Sequence, residues 1–212
     1  MSEANIWSNV TIPDGTKNKY LNPNDYFTVL VPTANNMMNI DSYTALICIA
    51  KGLGKQLQIS ASVKSGIPSS RNLCTHMCKL YYGVDNIRGL WLDSDIAICS
   101  VNPVVDAIRY ADKKRITFTA NYKTGTLENI KNLIYKSEDN DSNYTDEELE
   151  ALPDMAPIGG FAGLGFCYGD IPLNYCFHAD ANGEDYYYFH DNKIKLHYAK
   201  HIILRHGKGV FF

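Results

Sequence analysis

The sequence predicts an α/β fold in which a mainly parallel sheet carries helices on both faces. The first observation is that short β-rich runs alternate with segments of helical period between residues 26 and 120. The second is that 212 residues, 45% of them hydrophobic and 20% charged, are enough to close one sizeable core. We therefore expect a single domain over residues 1–212, with its ligand crevice at the carboxyl ends of the strands.

The first half of the chain supplies the first two strands and the helix between them. The apolar run 26–33, closed by Pro32, predicts a buried strand. Asp41 is expected to cap a helix whose apolar residues recur at helical spacing until Gly52 and Gly54. Residues 57–63 then alternate in the manner of a second strand.

The same order continues to residue 120. A turn is expected over 65–70, followed by a helix over 71–82 that ends at Gly83. The apolar run 87–92 predicts a third strand. A helix over 103–111 and a β-rich run over 115–120 complete the alternation.

The second half is less regular. Residues 137–154 are rich in acidic side chains, and we expect a solvated, mobile segment with a short helix opened by Thr145-x-x-Glu148. Gly159 to Gly165 predicts a glycine-rich strand or loop that a ligand or another backbone approaches closely. Gly183-Glu184-Asp185 is expected to open an aromatic helix.

Charge and composition argue against two classes of partner. The formal net charge is −3 and the pI is near 6.0, so no basic field attracts a nucleic-acid backbone or an anionic membrane. Residues 1–9 lack the pattern of a signal peptide, and no apolar run approaches the roughly 20 residues that span a bilayer. We therefore expect a soluble, cytoplasmic protein with no nucleic-acid partner and no membrane span.

The six cysteines are scattered through apolar segments, which indicates buried, reduced thiols. Cys74, His76 and Cys78 are disfavoured as a zinc site, because on a helix His76 points away from the two cysteines.

Asp93 and Asp95 follow the apolar run 87–92 directly. On an extended backbone, residues two apart project from the same face, so both carboxylates are expected to point the same way. Mg²⁺ and Mn²⁺ favour oxygen ligands and are commonly held by one or two carboxylates and substrate phosphates. The pattern therefore favours a divalent cation that holds a diphosphate, although Asp-x-Asp alone also caps helices and solvates turns.

In their joint order, these signals resemble the GT-A family of nucleotide-sugar glycosyltransferases, most closely its inverting members, from about residue 26 to residue 208. The chain also resembles small virus-encoded glycosyltransferases or a catalytic domain cut from a longer protein. The landmarks are the strand that ends at Pro32, Ser70-Arg71-Asn72, Leu92-Asp93-Ser94-Asp95-Ile96, the glycine-rich 159–165, Gly183-Glu184-Asp185 and His206-Gly207.

This resemblance implies a GT-A-like (Rossmann-like) domain that moves a sugar from a nucleotide-diphospho-sugar, UDP-sugar favoured, to a glycan or glycoprotein hydroxyl. Residues 26–120 would bind the nucleotide, and 121–212 would bind the acceptor and carry catalysis. The implied roles are Asp95 and His206 as ligands of Mn²⁺ or Mg²⁺, Asp93 beside the metal or the donor ribose, Asp185 as general base, Arg71 and Asn72 facing the nucleotide, and Pro32, Thr33, Ser94 and Lys208 at the donor site.

Two other readings stay open. A sugar nucleotidyltransferase shares metal-binding carboxylates on an α/β sheet, but residues 32–36 lack the glycine-rich, basic loop expected after its first strand. A non-catalytic module that binds sugars or a partner protein is the alternative from another class. The second strand also lacks the acidic residue with which the family commonly reads the base, so base recognition is not predicted.

Overall fold

The computed structural model describes residues 20–33, 38–63, 66–124, 131–137, 142–161, 164–178 and 184–206 of the chain. Its helices are α1 Ile40–Leu53, α2 Ile67–Tyr82, α3 Val101–Lys114, α4 Asp146–Ala151 and α5 Glu184–Asp191. Its strands are β1 Tyr26–Thr33, β2 Gln56–Val63, β3 Asn86–Leu92, β4 Ile96–Ile98, β5 Thr117–Thr119, β6 Lys123–Thr124, β7 Lys131–Asn132, β8 Ile134–Tyr135, β9 Ala156–Ile158, β10 Gly160–Phe161, β11 Phe166–Pro172, β12 Leu196–Tyr198 and β13 Leu204–His206.

The central sheet has seven strands in the order β2-β1-β3-β11-β5-β12-β9. The α/β class is confirmed, but the prediction of a mainly parallel sheet is wrong. β1 lies parallel to β2 and β3, and β12 lies parallel to β5, whereas β11 runs antiparallel to both β3 and β5 and β9 runs antiparallel to β12. The regular alternation of strands and long helices stops after β5, and parallel pairing depends on such crossovers.

Helices cover both faces of the sheet, as predicted. Trp91 of β3 contacts Arg71 of α2 and Tyr188 of α5. Arg88, three residues earlier on the same strand, pairs with Asp112 of α3 at 2.7 Å. Because residues an odd number apart on a strand project from opposite faces, α2 and α5 lie on one face and α3 on the other. In the described part of the chain, none of the helices is long and apolar enough to cross a membrane.

The boundaries of the early elements follow the sequence with two differences. The N-cap of α1 is Asn39, not Asp41, because the Asn39 side chain accepts a hydrogen bond from the Asp41 N–H at 2.9 Å. α2 begins at Ile67, so the turn expected over 65–70 is wrong from that residue onward. Pro68 lies in the first turn of α2, where a missing N–H costs nothing.

Helix α4 confirms the capping box in the acidic segment. The Glu148 N–H donates to Thr145 Oγ1 at 3.2 Å, and the Thr145 N–H donates to Glu148 Oε2 at 2.8 Å. Two of the orphan donors at the helix start are thereby satisfied. The mobility expected of this segment stays a prediction.

All six cysteines are reduced, but only half of them are buried. Burial raises the pKa of Cys74 to about 11 and that of Cys78 to about 12. His76 on the same helix is exposed, which agrees with the argument against zinc at this position. The expectation of buried thiols is wrong for Cys48, Cys99 and Cys176, which lie at the surface.

Candidate active site

Asp93 and Asp95 lie in a tight turn at the carboxyl end of β3. The Asp93 N–H donates to the Gly165 carbonyl at 2.9 Å, which extends the β3–β11 ladder by one residue. The Ile96 N–H then donates to the Asp93 carbonyl at 3.1 Å, which closes a turn. The expectation of one shared face on an extended backbone is therefore wrong, and the two carboxylates take different partners.

Asp95 pairs with His206. Strand β13 runs antiparallel to β4 and places His206 opposite Ile96, the residue after Asp95. His206 Nε2 lies 3.2 Å from Asp95 Oδ2, and the two side chains are 31% and 45% exposed. The structure thus brings together two predicted metal ligands that are 111 residues apart in sequence, and both remain accessible from solvent.

Asp93 and Asp185 converge on Arg71. Arg71 Nη2 lies 3.8 Å from Asp93 Oδ1 and 3.1 Å from Asp185 Oδ1, and the Arg71 side chain is only 2% exposed. The guanidinium carbon also lies 5.6 Å from the Trp91 ring centroid and 5.8 Å from that of Phe177. A buried cation needs such compensation, which two carboxylates and two aromatic faces provide.

Asn72 holds the chain segment that carries one of these rings. Its side-chain amide donates to the Phe177 carbonyl at 2.9 Å, and its side-chain oxygen accepts from the Phe177 N–H at 2.7 Å. Arg71 and Asn72, which the resemblance places against the nucleotide, contact the cluster itself. Arg71 pairs with the carboxylates, and Asn72 fixes the backbone of a ring that packs on Arg71.

Tyr122 is a site residue that sequence reasoning missed. It is buried, and burial together with Asp93, Asp185 and Asp95 raises its pKa well above the ordinary value, against the opposing effect of Arg71. Its ring packs against His206 at 5.5 Å between centroids. Nothing in the sequence distinguishes it among fifteen tyrosines.

The glycine at residue 165 is the one sequence feature that relates to Tyr122, because the Tyr122 side chain packs against it. A Cβ atom built on Gly165 would lie 2.0 Å from the Tyr122 hydroxyl. The prediction of close approach in the glycine-rich segment is therefore confirmed at Gly165. It is also confirmed at Gly159, where a Cβ atom would lie 2.3 Å from the Ser137 backbone nitrogen.

The remaining predicted donor residues lie near the same edge of the sheet. Pro32 and Thr33 end β1, whose carboxyl end lies beside that of the parallel β3, and both are buried. The Ser94 carbonyl accepts from the Asn39 N–H at 2.9 Å, which ties the turn to the start of α1. Lys208 lies outside the described residues.

The described residues offer few side-chain donors for a divalent cation. Among the described residues, no group of three or more His, Cys, Asp and Glu side chains is arranged to hold a metal. Asp95 and His206 supply one oxygen and one nitrogen donor side by side. Such a pair fits a cation whose shell is completed by substrate phosphates and water.

In comparisons with known proteins, no family model matches this chain, and no curated protein matches it in sequence.

Proposed function

We propose that this chain is a metal-dependent glycosyltransferase of the GT-A type. It would move a sugar from a nucleotide-diphospho-sugar, UDP-sugar favoured, to a hydroxyl of a glycan or glycoprotein, with inversion at the anomeric carbon. The proposal rests on the sequence resemblance together with one structural observation. Four separate chain segments bring Arg71, the turn with Asp93 and Asp95, Asp185 and His206 to one edge of the sheet.

The electrostatics of this cluster favour a cation. Two carboxylates, Asp93 and Asp185, contact one buried guanidinium, and a third, Asp95, lies in the same turn as Asp93. Burial raises the pKa of Tyr122, and all three carboxylates raise it further against the effect of Arg71. A site of negative potential attracts a divalent cation, and the cation in turn attracts a diphosphate. Asp95 and His206 would hold this ion, Mn²⁺ or Mg²⁺, at the accessible side of the cluster. When bound, it would act as a Lewis acid that offsets the charge of the leaving diphosphate.

Asp185 is the residue best placed to accept a proton from the acceptor. It is 18% exposed and is held by Arg71 from α2. A neighbouring guanidinium favours the ionised form of a carboxylate, and only that form accepts a proton. General-base help of this kind supplies about 10²- to 10⁴-fold in rate. Direct attack by the acceptor on the face opposite the leaving group gives inversion.

The first test is hydrolysis of sugar nucleotides by the purified chain. We expect slow, Mn²⁺-dependent release of UDP from a UDP-sugar, with GDP- and TDP-sugars as comparisons. Release of pyrophosphate from a sugar phosphate and UTP would instead indicate a nucleotidyltransferase. Release of neither product would indicate a binding module.

Asp95→Asn tests the metal role directly. Loss of an outer-shell partner alone typically weakens metal affinity about 10- to 100-fold, so loss of one of two protein ligands is expected to weaken Mn²⁺-dependent UDP binding at least that much. Isothermal titration with and without Mn²⁺ measures the effect. Asp106→Asn, on the exposed face of α3, removes the same charge far from the cluster and serves as control. Unchanged Mn²⁺-dependent affinity in Asp95→Asn would remove the metal site from the proposal.

A further inference from the structure

A cavity of about 510 Å³ opens beside the candidate active site. It lies between α5 and the strands β9, β10 and β12, and its volume is in the range of sites that take small ligands. Of its aromatic residues, Tyr186 is exposed, whereas Phe161 and Phe189 are largely buried beside it. Apolar walls with a few polar groups are typical of ligand sites, since the polar groups fix the orientation of the ligand.

Two contacts join this cavity to the active-site cluster. Tyr186 follows Asp185 directly in the first turns of α5. On the other side, the ring of Phe161 packs on that of Tyr122 at 5.7 Å between centroids, and Tyr122 in turn packs on His206. The cavity therefore adjoins the cluster through Tyr186, which is next to Asp185 in sequence, and through Phe161, which packs on Tyr122.

The charge of the lining is the opposite of the charge of the cluster. Lys193 and Lys195 line the cavity with exposed side chains, and the described lining includes no Asp or Glu. In the described part of the chain, neither lysine forms an ion pair with a carboxylate. His190 also lines the cavity, but its Nδ1 lies 3.4 Å from Asp191 Oδ1, so the two lysines carry the argument.

We propose that this cavity binds the acceptor, and that the acceptor is an acidic carbohydrate, a sugar that carries a carboxylate or a phosphate. The proposal rests on the glycosyltransferase function proposed above. The exposed ring of Tyr186 suits the apolar face of a sugar ring, and the two lysines suit one or two negative groups. A nucleic-acid strand is disfavoured, because its affinity comes from many neutralised phosphates and the chain as a whole carries a net charge of −3.

The backbone of Lys193 provides an unusually clean variant. Lys193 follows α5 with φ 52°, a left-handed conformation that glycine adopts more readily than lysine. Lys193→Gly therefore removes the positive charge without straining the folded backbone. Arg115 follows α3 in the same conformation, with φ 55°, and lines a different cavity. Arg115→Gly is the matched control for both backbone and charge.

The experiment compares binding of methyl glucuronide, glucose 6-phosphate and neutral methyl glucoside to the full chain by ligand-observed NMR titration. We expect the two acidic sugars to bind at least about 10-fold more tightly than methyl glucoside, with a preference that falls at high salt. Lys193→Gly is expected to abolish most of that preference, Lys195→Gln to reduce it, and Arg115→Gly to preserve it. Preference for the glucuronide alone would assign a carboxylate, and preference for the phosphate alone would assign a phosphate.

Three results would overturn the inference. These are equal affinity for acidic and neutral sugars, equal losses in Lys193→Gly and Arg115→Gly, or tight binding of a short oligonucleotide without binding of acidic sugars. Mn²⁺-dependent donor hydrolysis by the unaltered chain distinguishes failure of the acidic-acceptor inference from failure of the proposed glycosyltransferase function. If the chain hydrolyses the donor but does not prefer acidic sugars to neutral ones, this inference alone is refuted. If it binds acidic sugars but hydrolyses no donor, the acceptor role and the proposed function are both refuted.

Discussion

The two ends of the Asp93–Asp95 turn have different partners. Asp93, 32% exposed, lies 3.8 Å from Arg71, which is 2% exposed and also pairs with Asp185. Asp95 is 45% exposed and pairs with His206, which is itself partly exposed. The turn thus joins a cluster built on a buried cation, here called the Arg71 region (Arg71, Asp93, Asp185), to an open pair, the His206 region (Asp95, His206).

Under the proposed function, this difference suits the two carboxylate regions to different tasks. In the Arg71 region, a guanidinium without bulk water around it holds its partners in fixed positions, because moving either partner would leave a charge uncompensated. Such preorganisation suits a proton acceptor that must keep its place during reaction. In the His206 region, water already reaches both side chains and weakens the interaction between Asp95 and His206. An incoming cation therefore has only a weak interaction to displace. This suits a site that exchanges metal and diphosphate.

The largest expected effect comes from Arg71→Met, which breaks the Arg71 region. Met keeps the packing against Trp91 and Phe177 but leaves Asp93 and Asp185 without their shared cation. Removing one partner from a buried ion pair typically costs about 3–5 kcal/mol. We expect a loss of this size in the free energy of unfolding, measured by urea denaturation and circular dichroism.

Two further variants make that result specific. Arg71→Lys retains a cation with fewer donors and is expected to lose less stability than Arg71→Met. Arg109→Met, on the exposed face of α3, is the surface control; it removes an exposed ion pair with Asp106 and one hydrogen bond to the Gly52 carbonyl, and should cost no more than about 1.5 kcal/mol. If Arg71→Met were as stable as the unaltered chain, the argument for a buried counter-ion would have to be withdrawn.

The next effect in size separates chemistry from binding. Asp185→Asn preserves the shape of the side chain but removes the proton acceptor, so kcat is expected to fall about 10²-fold or more with little change in donor affinity. Arg71 keeps Asp93 as a counter-ion in this variant, so the loss of stability should be smaller than in Arg71→Met.

Asp191→Asn, at the opposite end of α5, is the matched control and should retain transfer activity. The product gives an independent check, since direct attack with Asp185 as base inverts the anomeric centre. Retention of configuration, or full activity of Asp185→Asn, would exclude Asp185 as the base even if the metal site survived.

The sequence predicted local structure better than it predicted the site. The strand 26–33 and the capping box at Thr145 were confirmed residue by residue, because apolar runs and caps depend on near neighbours. The orientation of Asp93 and Asp95 was wrong. A strand pattern does not show where the strand ends, and the turn over residues 93–96 contains both carboxylates.

The contacts that define the site arise from long-range packing. Arg71 meets Asp185, and Tyr122 meets His206, only after helices and strands from distant parts of the chain assemble on the sheet. No local spacing encodes such pairs. The antiparallel β11 was missed for the same reason, since its apolar pattern fits either direction and its neighbours β3 and β5 decide the pairing.

The smallest expected effect tests Tyr122, which packs on His206 and whose pKa is raised by Asp93 and Asp185 as well as by burial. A methyl group at residue 165 would overlap the Tyr122 hydroxyl, so Gly165→Ala is expected to cost about 1–3 kcal/mol in the free energy of unfolding through overpacking. Tyr122→Phe removes the hydroxyl and alone should cost about 1 kcal/mol.

In the double variant the overlap is partly relieved, so the two losses should not add, and the coupling energy should lie between about 0.5 and 3 kcal/mol. Urea denaturation of the four proteins measures this coupling. Strict additivity would mean that the Tyr122 hydroxyl does not lie against Gly165, and the assignment of Tyr122 to the site would then have to be withdrawn.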